Sequence, residues 1–138
     1  MLIKQLSVFV ENQQGKLREI TDILSQAQVD IRALSIADTT NFGILRLIVS
    51  DPEQAVAALK KQGFTVSLTE VIGIGVDDKP GGLAHALDVL GEAGLDVEHL
   101  YAFVSKSDKA CVILRLEDNQ KALDALKAAG VPVLKELY

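Results

Sequence analysis

The 138-residue chain holds a single cysteine, Cys111, and no tryptophan. One thiol excludes an internal disulfide framework and any four-cysteine zinc site. Two histidines, His85 and His99, fall on different elements and make a poor metal site, and no Ser/His/Asp or Cys/His order is present. No catalytic group, metal or cofactor is therefore expected. Aromatic residues are 4 % of the chain, and 14 basic against 19 acidic residues leave a net charge of −5. A nucleic-acid surface needs a basic face with exposed aromatics, so that class is set aside. No apolar run is long enough to span a membrane, and residues 1–6 lack the apolar core of a leader peptide. No membrane contact and a cytoplasmic location are expected. What is present, 49 % hydrophobic and 24 % charged residues, is the composition of a folded chain. The length suits one ordinary domain or two very small ones.

The chain matches itself. Leu6 to Leu17 lies over Ile72 to Leu83 at a spacing of 66 residues, and the match runs without a gap through Val29-Asp30-Ile31 over Leu95-Asp96-Val97. Ile44-Leu45-Arg46-Leu47 lies over Ile113-Leu114-Arg115-Leu116 at 69, which reads as three residues inserted in the preceding turn. Gly63 over Gly130, at 67, reads as two residues lost before the second helix. The boundary between copies is expected at 69/70, giving domains 1–69 and 70–138.

Each copy has one order of elements. Leu6, Val8 and Val10 alternate with more polar neighbours, the period of a strand buried on one face. After a turn at Gly15, apolar residues at Leu17, Ile20, Ile23, Leu24 and Ala27 predict an amphipathic helix. Ile31 to Asp38 is a second strand, Thr39 to Gly43 a hairpin turn, and Ile44 to Ser50 a third strand. Asp51-Pro52 opens a second helix that stops at Gly63, and Phe64 to Leu68 is a fourth strand. The fold class is α+β: two tandem ferredoxin-like βαββαβ units, each an antiparallel sheet with both helices on one face. Phe64 to Val76 is almost unbroken strand-like sequence, so the copies join without a linker. Gly73 and Gly75 leave bare backbone that another element could approach. A unit of this size is marginal alone, so a homodimer is expected.

Three polar or glycine positions recur: Gly15 and Gly81 at the turn into the first helix, Asn12 and Asp78 three residues earlier, Asp30 and Asp96 fifteen residues later. A helix N-terminus attracts a carboxylate, and glycine there admits a ligand close to the backbone. A carboxylate side chain accepts from an ammonium group. Together these suit a free α-amino acid. Within one copy the glycine and the aspartate flank opposite ends of the helix; two copies packed antiparallel would bring Gly15 toward Asp96 and Gly81 toward Asp30. Each residue also has a purely structural reading. The glycines make tight turns, the aspartates separate helix from strand, and Asn12 and Asp78 are turn or capping residues. Arg46 and Arg115 are read as a solvated sheet face, His85 as exposed, His99 and Tyr101 as packing residues, and Cys111 as an inert buried thiol. Gly73-Ile74-Gly75 lacks the third glycine of a dinucleotide fingerprint.

Asn12-Gln13-Gln14-Gly15-Lys16-Leu17 and Asp78-Lys79-Pro80-Gly81-Gly82-Leu83, with Val29-Asp30-Ile31 and Leu95-Asp96-Val97, resemble the ACT domain. The resemblance covers nearly the whole chain as two tandem units. The second copy carries the family's Pro-Gly turn; the first has Gln14 where proline usually stands. The family's ligand positions match Asn12, Gly15 and Asp30, and Asp78, Gly81 and Asp96, although the family often has Asn at the last of each set. The resemblance implies a free-standing, non-catalytic regulatory protein. It would bind a free amino acid at ACT–ACT interfaces and control an enzyme of amino-acid metabolism in trans. The alternatives are a ligand-free oligomerisation or docking module, or a regulatory subunit of a branched-chain amino-acid biosynthetic enzyme.

Overall fold

A computed structural model describes residues 2–38, 41–104 and 108–135. Its elements run β1 (Ile3–Glu11), α1 (Lys16–Gln26), β2 (Ile31–Asp38), β3 (Phe42–Val49), α2 (Pro52–Lys61), β4 (Val66–Asp77), α3 (Gly82–Glu92), β5 (Val97–Val104), β6 (Lys109–Leu116), α4 (Asn119–Ala128) and β7 (Val133–Leu134). Two compact units emerge. One is Lys4–Thr69; the other begins at Glu70 and takes in Leu2 and Ile3. β4 contributes its start to the first unit and its remainder, from Glu70, to the second. No helix among the described residues is long and apolar enough to cross a membrane.

In the first unit the strand order is β2-β3-β1-β4. Leu6, Val8 and Val10 of β1 and Leu45, Leu47 and Val49 of β3 share one face with Ile20 and Leu24 of α1 and Ala55 and Leu59 of α2. Both helices therefore cover the same side of the sheet, as two right-handed crossovers require. The second unit repeats this with β5, β6 and β4, β7 pairing with β4. Its core joins Ile72, Ile74 and Val76 to Ala86, Leu90, Leu114 and Leu126. The caps are those the sequence signals. Asp51 accepts from the Gln54 N–H at 3.1 Å, and Asp118 accepts from the Lys121 N–H at 3.0 Å. Gly63 and Gly130 follow the second helices at φ +89° and +74°.

Some boundaries and one alignment differ from expectation. Thr39 and Thr40 lie outside the described residues, and Phe42 and Gly43, expected in the turn, instead open β3. The fourth strand begins at Val66, two residues after Phe64. More consequentially, Arg46 and Arg115 are not equivalent. Arg46 pairs with Ser7 and Ser35, whereas the matching position, opposite Gly73 and Tyr101, is held by Ile113. The spacing in the third strand is thus 67, not 69, and it stays 67 through Asp51/Asp118 and Gly63/Gly130. One inserted residue in the hairpin accounts for the whole difference, and nothing is lost before the second helix.

The bare backbone at Gly73 and Gly75 is occupied. The Ile3 Cδ1 stands 2.8 Å from where a Gly73 Cβ would be, and the Gly75 N–H donates to Pro132 O at 3.0 Å.

Candidate functional site

The two glycine turns are one structure built twice. In the first, the Gln13 N–H donates to Glu11 O (2.7 Å), Lys16 N–H to Gln13 O (3.4 Å) and Glu19 N–H to Gly15 O (2.9 Å). In the second, Lys79 N–H donates to Asp77 O (2.9 Å), Gly82 N–H to Lys79 O (3.1 Å) and His85 N–H to Gly81 O (3.0 Å). Asn12 and Asp78 tie each turn to the neighbouring hairpin through their N–H groups, which donate to Asn41 O and Asp108 O. Gly15 and Gly81 are the N-cap residues, at φ 86° and 89°. That left-handed conformation favours glycine. Lys16 and Gly82 use their N–H groups inside the turn, and with no side-chain cap the next two N–H groups, of Leu17 and Arg18 in α1 and of Leu83 and Ala84 in α3, stay open to an outside acceptor. Both glycines are exposed.

Asp30 and Asp96 stand at the other end of each unit. α1 and α3 are 11 residues long, which puts the aspartate end about 16 Å from the glycine end. No free amino acid spans that distance, so within a unit the two halves of the expected site do not meet. The two aspartates also differ in company. Asp30 donates its N–H to Ser50 Oγ at 2.9 Å, and its carboxylate pairs with Arg32 Nε at 3.3 Å. The residue equivalent to Arg32 is Glu98, so Asp96 lies in an acidic depression with Glu70, Glu117 and Asp118. His85 is exposed and Cys111 is buried, as expected. Burial pushes the Cys111 thiol pKa up, consistent with an unreactive group.

Sequence reasoning missed a pair of hollows beside the glycine turns. Each is formed by the end of the unit's first strand, the start of its first helix, the start of its third strand and the turn after its second helix. The first, about 320 Å³, is walled by Phe9, Phe42 and Phe64, with Lys16, Glu19 and Glu11 around it. Phe9 and Phe42 meet edge to face with centroids 5.7 Å apart, and Lys16 Nζ lies 5.8 Å from the Phe64 ring centroid and 3.5 Å from the Glu19 carboxylate. The second, about 400 Å³, occupies the same place in the other unit and includes Gly81. There Gly75, Lys109 and Val131 replace the three phenylalanines, and Gly82 and His85 replace Lys16 and Glu19. Asp77 pairs with Lys109 and, at 3.7 Å, with Lys79. The bond from Lys109 holds the Asp77 carboxyl below the usual aspartate range. Of the six expected site residues, only Gly81 lines either hollow; Gly15 is one residue from Lys16. The missed residues had one signal in the sequence: the first copy's phenylalanines have no aromatic counterparts in the second.

A family model described as an ACT domain pair matches residues 1–135. A crystal structure of a Bacteroides thetaiotaomicron protein is similar at 41 % identity and a TM-score of 0.93, covering 97 % of this chain and 92 % of that one. The fold is also shared with the regulatory subunit of aspartate kinase from Thermus thermophilus, at 17 % identity and TM-score 0.68 over 93 % of each chain. A putative C-terminal regulatory domain of aspartate kinase from Porphyromonas gingivalis gives 20 % identity and TM-score 0.53, again over 93 % of each. No curated protein matches the sequence.

Proposed function

This chain belongs to the ACT domain pair family, and from that premise we propose that it is a non-catalytic regulator that binds a free amino acid. Residues 1–69 and 70–138 are the two ACT domains. The ligand carboxylate is received by the open first-turn N–H groups after Gly15 and after Gly81, with Asn12 and Asp78 beside them. The ammonium is received by Asp30 or Asp96. Because glycine and aspartate stand about a helix length apart within a unit, the aspartate in this reading comes from another ACT unit. Binding then biases how ACT units associate, and a cytoplasmic enzyme of amino-acid metabolism reads the change. Such coupling is typically about 1–3 kcal/mol. The likeness to aspartate kinase regulatory subunits supports a target of that kind.

The observation that carries this reading is the duplicated turn: two identically bonded glycine N-caps with no side-chain cap, each beside a hollow of small-ligand size. The test is the melting temperature against each of the twenty amino acids. A ligand at 100 times its Kd adds about 2.7 kcal/mol of stability, a rise of several degrees. One or a few amino acids should raise it, and Asp96→Ala should reduce the rise.

A second reading, an assembly module without a ligand, has one observation in its favour. β2 ends the strand order, and its Leu34 and Ile36 are 50 % and 52 % exposed although they pair with core residues Leu47 and Leu45. An apolar edge of that kind supports a homodimer. No melting shift with any amino acid at millimolar concentration would favour this module.

A further inference from the structure

The hollow beside Gly15 and the hollow beside Gly81 share their backbone and oppose each other in chemistry. Three wall positions are aromatic in the first and are glycine, lysine and valine in the second. In the first, Phe9 and Phe42 remain 47 % and 41 % exposed. Two aromatic rings left half in water gain on being covered, because apolar surface leaves water. The single cation at the wall is Lys16, the residue that follows the Gly15 cap. Lys16 pairs with Glu19 at 3.5 Å and Glu11 stands at the same wall, so a molecule that carries both charges beside an apolar group, as an α-amino acid does, matches the wall as a whole. The second hollow offers no such wall. Its apolar side chains are the smaller Val76, Ala86, Val131 and Pro132, and Lys79, Lys109, Asp77 and His85 stand among them and favour a polar group.

We propose that the Gly15 site selects an amino acid with a large hydrophobic or aromatic side chain. That side chain lies against Phe9, Phe42 and Phe64, and the ligand carboxylate lies at the α1 N-terminus beside Lys16. The volume of about 320 Å³ suits a leucine- or phenylalanine-sized molecule. The proposal rests on the amino-acid-binding reading for the ligand's head group and adds the part that discriminates among side chains. Gly81, with its charged hollow, does not take this ligand.

The experiment is calorimetric titration of the full chain with L-leucine, L-phenylalanine, L-aspartate and L-lysine. It compares the wild type with Phe42→Lys, which installs the second unit's residue, and with Phe9→Ala. Both positions are half exposed, and melting of the unliganded variants checks their folding; should Phe42→Lys fail, Phe9→Ala decides. The expected result is saturable binding of an apolar amino acid, weakened at least tenfold in both variants and unchanged in Lys127→Gln, an exposed site on the other unit. A response confined to aspartate or lysine overturns the proposal and leaves amino-acid sensing standing. So does apolar binding that neither phenylalanine variant alters. No binding of any amino acid overturns the sensing reading and this proposal with it.

Discussion

Gly81 and Gly82 are adjacent and serve different ends. Gly81 is there for its backbone: φ is +89°, and a Cβ on it would meet nothing within 4 Å. Gly82 is there for space: a Cβ would stand 2.1 Å from the Asp77 carbonyl oxygen. In the first copy the Gly82 position carries Lys16, so that turn is open enough for a side chain and places a cation where the second has none. Gly81→Ala should therefore cost about 1 kcal/mol, the strain of a left-handed alanine. Gly82→Ala should cost about 3 kcal/mol, because backbone must move to relieve the contact. Urea unfolding of both variants checks the order, and equal costs would mean the second turn relaxes freely. The need for glycine at 81 was legible from the repeat. The need at 82 was not, since it depends on a carbonyl five residues back whose direction only the folded turn sets.

At the scale of elements, the sequence was informative wherever local chemistry decides. β2 has the expected bounds, and the Asp51 cap and Gly63 stop act as their residue types suggest. The third strand misled for a physical reason. Side chains alternate every two residues, so sliding a strand by two keeps each apolar residue on its face. Ile-Leu-Arg-Leu matched itself at such a slip, and only cross-strand pairing shows that Leu47 corresponds to Leu114. Correct register also exposes a difference between the units. Asp77 faces Lys109 across β4 and β6, where the first unit sets Glu11 opposite Phe42. Because the folded Asp77 pKa lies below its unfolded value, the pair's stabilisation is complete above the ordinary aspartate range, near pH 4. It is lost as pH falls through the lower folded value. Asp77→Asn should then melt below the wild type at neutral pH, with the gap closing as the solution is acidified below that range. High salt should narrow the gap as well, since the pair is exposed. A gap that persists at the lowest pH would assign the loss to packing instead.

For the molecule as a whole, duplication copied the frame and not the walls. The glycine turns could be found by spacing alone, because a repeat keeps its backbone-critical residues in step. The hollows could not. Each draws on four separate stretches, in the first unit residues 9–11, 16–19, 42 and 62–65, which only the fold brings together. Those stretches have diverged: aromatic beside a lysine in one unit, charged and small in the other. A head group that both turns recognise alike would reach two sites per chain, but a side chain that must cover Phe9 and Phe42 has one. Selection by walls is a difference of affinities, and the second hollow opposes an apolar group with buried-charge cost as well as missing contact. Titration with the apolar amino acid that raises the melting temperature should accordingly show a stoichiometry of about one per chain. Two equivalent sites per chain would mean that the head group alone determines binding and that the phenylalanine wall has no part in it.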